Sequence, residues 1–301
     1  MKIVVVGSIN LDFTLQVDKL PKKGETILAK NYKISLGGKG ANQAIAAKRL
    51  GADVFMIGAV GSDDKGKYAL NKLEEEGLNL SGIYQIDDIT GNAVITIDNQ
   101  GFNTIVVYPG ANEKLSTQWV EKHSALFKEA DFVILQLEIP IETVESAIRL
   151  AKENNTKVIL NPAPVKDISE EIYKYVDCIT PNETELFKMT GTGDIQQGAK
   201  KLLEKGVREV VVTLGEKGCY YTNGSEEIII DSIKVNAIDT TAAGDSFNAA
   251  LAVALCKFKD IKRALKYANV VGGLTTTKLG AKDALPFKNE VEDYIKNNNY
   301  I

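Results

Sequence analysis

The chain is poor in the side chains that most often do chemistry at neutral pH. Its 301 residues include one histidine, His123, and three cysteines, Cys178, Cys219 and Cys256. His123 lies in the polar, helical-looking stretch STQWVEKHSALFKEA and reads as a solvated surface residue. That leaves no histidine for a hydrolytic triad or a His-rich metal site. The cysteines are far apart and show no C-x-x-C spacing, so they read as small buried hydrophobes in a reducing, cytoplasmic setting. No apolar run approaches a membrane span, and the run in MKIVVVGS is too short for a signal peptide. Sequon-like triplets at Asn154, Asn182 and Asn223 therefore carry no glycosylation meaning. A net charge of -4 offers no general attraction to nucleic acid or to acidic membranes. Chemistry is left to carboxylates, lysines, amides and the backbone.

What is present is an ordinary globular balance, 44% hydrophobic and 25% charged, enough for one large core with a smaller appendage. Short apolar runs (KIVVVG, VFMIGAV, FVILQLE, KVILNP, CITPNE, EVVVTLG) alternate with helical patterns such as ANQAIAAKRLG, IETVESAIRLAKENN and DIQQGAKKLLEKG. That rhythm predicts an α/β fold, a mostly parallel sheet with helices on both faces. Two regions break it. Roughly residues 11–36 and 90–109 alternate like strands around the turn signals LPKKG and DNQG, with no helix between. They are expected to pair as a small antiparallel sheet, placed as a lid near the carboxyl ends of the parallel strands. After Val235 the pattern is almost all helix.

The motifs sort by chemistry. GSDDKGKY, residues 61–68, has the glycine and lysine spacing of a phosphate-binding P-loop, but Tyr68 stands where a magnesium-holding Ser or Thr is needed. It reads instead as a strand-to-helix turn with an Asp cap. In LGGKGANQAIAAKRLG, Gly37, Gly38 and Gly40 let backbone approach a ligand, Lys39 supplies charge and Asn42 lies in the first turn of a helix; a flexible turn with a cap is the plainer alternative. GSINLD places Asn10 and Asp12 past the first strand, where an Asp forms a turn or holds vicinal hydroxyls. LQLEIP ends another strand on Glu138. In TPNETE, Asn182 and Glu185 share one face of a turn, fitting either a capping box or a magnesium site that retains its waters. TLGEKG, Thr213–Gly218, is a glycine turn of the kind that lines a nucleotide.

IDTTAAGDSFNAALAVALC carries the sharpest question. As a helix cap Asp245 contributes about 1 kcal/mol. The small residues before it keep the amides of Ala242, Ala243 and Gly244 uncovered at a helix N-terminus, a pocket for phosphate charge. A carboxylate beside such a pocket can take a proton from an attacking hydroxyl. Asp239 reads as a loop former or a cation ligand.

In order and at sensible separations, GSINLD, GGKGANQA, NPAP, TPNETE, TLGEKG and DTTAAGDSFN resemble the ribokinase branch of the PfkB carbohydrate kinases over essentially the whole chain. The resemblance implies one kinase domain, residues 1–301, built as a Rossmann-like three-layer α/β/α sandwich with a small β-sheet lid. It implies phosphoryl transfer from MgATP to the 5-hydroxyl of D-ribose. On this likeness Asp245 is the proton acceptor, with the amides of Ala242, Ala243 and Gly244 as the anion hole. Asn10, Asp12, Gly38, Lys39, Gly40, Ala41, Asn42 and Glu138 form the sugar site. Asn182, Thr213, Leu214, Gly215, Glu216, Lys217, Gly218, Gly244, Asp245 and Asn269 form the ATP site, with Glu185 acting on Mg2+ through water. An activating monovalent cation, K+, falls to Asp239, Thr241, Thr275, Lys278, Gly280 and Ala284, several through carbonyls alone. Relatives often carry Ser at the position of Ala284 and some carry His at that of Asn269. A homodimer through the lid is expected, with no nucleic-acid or membrane partner. Deoxyribose, fructose or a nucleoside as acceptor, and a catalytically silent sugar sensor, remain the competing readings.

Overall fold

Runs of Val, Ile and Leu, stiff at the β-carbon and apolar on both faces, become the strands of a central sheet. The computed structural model describes residues 1–100 and 102–301; Gly101, the last residue of the DNQG turn, lies outside them. Strand β1 (Lys2–Val6) leads into β2 (Asn10–Gln16) and β3 (Asn31–Gly37). Helix α1 (Lys39–Arg49), β4 (Asp53–Gly61), α2 (Asp64–Glu75), β5 (Ile83–Ile86), β6 (Gly91–Ile97) and β7 (Asn103–Tyr108) follow. The middle of the chain holds α3 (Thr117–Lys122), α4 (Ser124–Glu129), β8 (Phe132–Leu135), α5 (Ile141–Glu153), β9 (Lys157–Leu160) and β10 (Cys178–Ile179). After α6 (Glu183–Thr190), α7 (Ile195–Glu204) and β11 (Glu209–Thr213) come β12 (Cys219–Thr222), β13 (Glu227–Ile230), α8 (Ala243–Phe258), α9 (Ile261–Thr275) and α10 (Lys288–Asn298).

The main sheet runs β13-β12-β11-β10-β9-β8-β1-β4-β5, parallel from β11 to β5, with β12 and β13 added antiparallel at one edge. Because side chains alternate along a strand, each strand feeds two cores. Ile3 and Val5 of β1 join Ile134 of β8 and helices α1, α8 and α9 on one face. Val4 and Val6 join Val133, Leu135 and helices α3, α5 and α7 on the other. Helix α8 is apolar on nearly every side, as its central position between α1 and α9 requires. This is the three-layer sandwich.

The second sheet has the order β3-β2-β6-β7 and covers the expected lid segments. It is mixed rather than antiparallel, because β2 pairs with β6 in parallel. The reason is connectivity: β2 continues from β1 and β6 from β5, both leaving the carboxyl edge of the main sheet, so both head outward together. Along β2 burial fades, from Asn10, Leu11 and Asp12 at the root to an exposed Gln16 at the tip.

Two other local expectations meet the structure. Asp63 caps α2, accepting from the Gly66 amide at 2.9 Å, so GSDDKGKY is a capped turn. His123 is not a solvated surface residue. It breaks the polar stretch into α3 and α4 and is partly buried beside Phe55, with Nε2 3.0 Å from the Tyr84 hydroxyl; burial pushes its pKa down. Among the described residues no helix is long and apolar enough to cross a membrane.

Candidate active site

The site gathers where helix N-termini meet the carboxyl edge of the main sheet, the usual ligand edge of an open α/β sheet. Helix α1 begins at Lys39 after Gly38, whose φ of 88° suits glycine. Gly40 presses on the first loop: a β-carbon there would come 2.5 Å from the Gly7 carbonyl carbon. Fold, rather than ligand, demands that glycine. The contact brings α1 down on the β1–β2 connection, and Ala41 N donates to Ser8 O at 2.9 Å.

Asp245, in the first turn of α8, is buried but not turned into the apolar core. Asn42 Nδ2 donates to its Oδ2 at 2.9 Å and Gln43 Nε2 to its Oδ1 at 3.2 Å. The carboxylate lines a 190 Å³ cavity with Lys39, Asn182, Glu185, Thr213, Ala242 and Gly244. A carboxylate here is therefore not a simple cap: it accepts no backbone amide of its own helix. Burial pushes its pKa up, with Glu138 adding to the rise, against Lys39, Asn42 and Gln43.

Ala242, just before α8, takes the left-handed conformation (φ 61°, ψ 6°), and α8 continues right-handed. That succession turns neighbouring N–H groups into one concavity, an anion nest. The Ala243 amide is not free as expected, because it closes a turn onto Thr240 O at 3.2 Å. The amides of Ala242 and Gly244 have no hydrogen-bond partner among the described residues. A β-carbon built on Gly244 meets nothing within 4 Å, so the protein leaves that space open without needing a glycine for its own packing.

A second cavity of about 470 Å³ adjoins the first and is lined by Asn10, Lys39, Glu138, Asn182 and Glu185 among others. Asn112 Nδ2 fixes Asn10 Oδ1 at 2.7 Å, and the Ser8 hydroxyl and the Lys39 amide hold one oxygen of Glu138 at 2.5 and 3.0 Å. Burial would lower the Lys39 pKa, but Asp245, Glu138, Glu185 and Asp12 together raise it, so it stays a cation. The Asn42 Oδ1 atom is buried without a partner. An orphaned acceptor of this kind is costly unless a ligand donor meets it.

Asp12, at the root of the lid, is pushed up to about 7 by burial, then by Glu138 and Asp245, with Lys39 opposing. A carboxyl whose folded pKa lies above its unfolded value stabilises the fold while protonated. That contribution is full below pH 4 and is lost as pH rises through about 7. Asp12→Asn is thus expected to raise the unfolding free energy at pH 8 by at most about 4 kcal/mol, and Tm with it, and to leave both unchanged at pH 4. Thermal melts at the two pH values check this; equal Tm at pH 8 counts against it.

Asn182 and Glu185 do form the capping box of α6: Glu185 N donates to Asn182 Oδ1 at 2.8 Å and Asn182 N to Glu185 Oε2 at 2.9 Å. Glu185 nevertheless faces both cavities, and burial raises its pKa. Leu214 to Gly218 form a 3-10 turn after β11, with Gly215, Glu216 and Lys217 exposed and only Thr213 reaching the cavity wall. Asn269 sits apart on α9, its amide donating to Ile230 O and Asp231 O at 3.2 and 3.3 Å.

Asp239 ties two loops together. Its Oδ1 accepts from Thr241 N and Oγ1, and its Oδ2 from Gly280 N at 2.8 Å. The Thr275 hydroxyl is taken by Ser246 Oγ and Val271 O, the Lys278 ammonium by Glu290, and Ala284 is wholly buried with no ligating side chain. Of this set, Asp239 Oδ2, the lone pairs of the two threonine hydroxyls and backbone carbonyls are left to meet a cation. Sequence reasoning assigned no role to Gln43, Asn112, Asn161, Thr180 or Asn248, which lie beside or inside the quoted motifs. Their signal is polarity at buried positions of otherwise apolar elements.

In composition the site is a buried carboxylate beside an electropositive hollow. Comparison with known proteins gives the family. A family model described as pfkB family carbohydrate kinase matches residues 1–288. A ribokinase of Haemophilus influenzae is 39% identical over 300 residues, covering 98% of each chain. The solved ribokinase of Thermotoga maritima aligns with TM-score 0.91 and 38% identity over 98% of this chain and 99% of its own. The Arabidopsis thaliana ribokinase solved with ribose and ATP aligns with TM-score 0.89 and 33% identity over 98% of each.

Proposed function

The chain belongs to the pfkB family of carbohydrate kinases, and from that premise we propose that it is an ATP-dependent ribokinase, making D-ribose 5-phosphate from D-ribose. The observation that carries this reading is the placement of Asp245, clamped by Asn42 and Gln43 at the mouth of a nest whose Gly244 faces open space. The 5-hydroxyl proton passes to the Asp245 carboxylate as the hydroxyl oxygen bonds the γ-phosphorus. The bond from phosphorus to the β,γ-bridging oxygen breaks, and ADP leaves with its electron pair. The Ala242 and Gly244 amides and the positive end of α8 receive the charge that develops. Lys39 adds a fixed cation between sugar and phosphate sides. On the sugar side, Asn10, Asp12, Asn42 and Glu138 offer acceptors for hydroxyls, and the orphaned Asn42 Oδ1 gains a donor.

When bound with the nucleotide, Mg2+ supplies charge neutralisation across the phosphates and keeps most of its waters. Glu185, whose second oxygen is not used by the capping box, suits a water-mediated hold on it. A monovalent cation fits the loops at 239–241 and 275–284 through carbonyls, with Asp239 bracing the pair. Replacing K+ with tetramethylammonium is expected to lower kcat several-fold, and Asp239→Ala to abolish the difference; equal rates in both salts would remove the cation from the reading.

The outer strand of the lid supports a dimer. All six residues of β7 are exposed, including Ile105, Val106, Val107 and Tyr108. An apolar edge strand of this kind seeks a partner. Val106→Glu is expected to convert dimer to monomer in sedimentation velocity; a wild type that sediments as monomer sinks the dimer. The three unpaired cysteines support a cytoplasmic setting.

A coupled ADP-release assay across ribose, 2-deoxyribose, fructose and nucleosides tests the whole assignment. Ribose is expected to be the best acceptor, because Asp12 suits neighbouring hydroxyls. Faster turnover of 2-deoxyribose overturns the substrate. Saturable ribose binding with no ADP at any Mg2+ or K+ level makes the protein a sensor.

A further inference from the structure

Asp245 is gripped from two sides, and one grip leads back into the body of the protein. Gln43, wholly buried on α1, donates from Nε2 to Asp245 Oδ1 and to Asn161 Oδ1, both at 3.2 Å. Its Oε1 accepts from Gln136 Nε2 at 2.6 Å. Gln136, also wholly buried, lies just past the end of β8. On the far side, Asn161 Nδ2 donates to Thr180 O at 3.4 Å. The Thr180 hydroxyl donates to Asn248 Oδ1 at 2.5 Å, and Asn248 Nδ2 to Gly244 O at 2.8 Å. Amide after amide, the chain runs from the central sheet past the carboxylate and back to the nest.

A primary amide can present either end, and burial makes the wrong end expensive. With the NH2 of Gln136 on Gln43 Oε1, Gln43 must turn its own NH2 toward Asp245. Reversed, a carbonyl oxygen would face a carboxylate oxygen in a dry interior. The polarity of the chain is therefore fixed at the carboxylate; Gln136 follows it by donating to Gln43, its own Oε1 being buried without a partner.

We propose that Gln136 and Gln43 are positioning residues for the proton acceptor. Gln136 locks the amide of Gln43, and Gln43 holds Asp245 Oδ1 so that the remaining lone pairs face the sugar hydroxyl. This rests on Asp245 being the base, as argued above. The charged groups facing Asp245 are Lys39 from α1, Glu138 from the segment after β8, Asp12 from β2 and Glu185 from α6. Lys39 alone favours its ionised form and the three acids oppose it. Removing an amide donor leaves the acids less opposed, so the carboxyl titrates at higher pH.

The test compares Gln136→Met and Gln43→Met, which keep length and remove the amide, with the wild type. At saturating ribose, which covers Asp12, the acid limb of the kcat–pH profile is expected to move up by roughly half to one pH unit in both variants. The value of kcat at pH 7 is expected to fall about tenfold, with KM for ribose within about twofold. A merely structural role would lower Tm and kcat without moving the limb. An unmoved limb in a folded variant overturns the proposal, and if Gln136→Met does not fold, Gln43→Met carries the comparison. A carbon-13 titration of the Asp245 carboxyl in ligand-free protein reads the same rise without turnover. A rise there with a wild type inactive on every sugar keeps the positioning and removes the kinase reading; no rise with an active wild type removes the positioning alone.

Discussion

Asp245→Asn is expected to lower kcat by about two to four orders of magnitude while ribose still binds. The substitution keeps the shape of the side chain and removes the carboxylate that can take a proton at the mouth of the nest. Asn42 retains a partner, because one acceptor oxygen survives, so the sugar side of the site keeps its outline, while Gln43 then faces an NH2 and loses its bond. A global collapse is not the expected cause. Burial is the largest influence on this carboxyl and acts against its charge, so a neutral amide relieves a cost. The sign can be checked: with its folded pKa raised, Asp245 stabilises the fold only while protonated, and that contribution is gone at alkaline pH. The variant should therefore melt near the wild-type temperature at pH 8, the relieved burial of charge set against the lost Gln43 bond, while remaining nearly inactive. Calorimetric ribose binding, a melt and a steady-state rate on one preparation decide the matter. Turnover near wild type would strip Asp245 of its role, and a failure to bind ribose would move that role from proton transfer to sugar recognition.

Gly244→Val should separate folding from function more cleanly still. A β-carbon at 244 meets no protein atom within 4 Å, and the residue is exposed, so the change belongs with surface substitutions worth within about 0.5 kcal/mol. The same space is the floor of the nest, between the Ala242 amide and the Asp245 carboxylate, where phosphate oxygens must come close. Filling it with a branched side chain displaces the transferring group, and kcat/KM for ATP is expected to fall by about a hundredfold or more. Ribose affinity without nucleotide should stay the same. Should the variant turn over at the wild-type rate, the hollow at Ala242–Gly244 is not where phosphate sits. By contrast, Gly40 cannot serve as such a probe, because its β-carbon would strike the Gly7 backbone and the fold itself would suffer.

Much of this molecule could be read from the chain alone, and the pattern of what could not is physical. The strands of the main sheet announced themselves because both faces are buried, so each reads as an unbroken apolar run, as in KIVVV and EVVVT. Helices α5 and α7 showed their period because only one face of each is covered. Local chemistry was equally visible: the Asp63 cap and the Asn182–Glu185 box are three residues apart. Pairings across the chain were not. The parallel partnership of β2 with β6 depends on where β1 and β5 end, and nothing in either segment states it. Gln43 meets Asp245 across 202 positions and Gln136 across 93. A glutamine in an apolar helix signals only that it must find partners, not which ones. The Ala243 amide was expected to be open, yet a four-residue turn claims it, a matter of backbone angles that the small side chains leave unspecified.

The seven residues of β2 divide their loyalties. The root carries Asn10 and Asp12 against the body, and the tip stands in solvent with the rest of the outer sheet. Natural variation can therefore rework the far end, altering which neighbour the protein embraces, without retuning its appetite for a sugar; the near end has no such latitude, since there one strand must serve as wall and handle together.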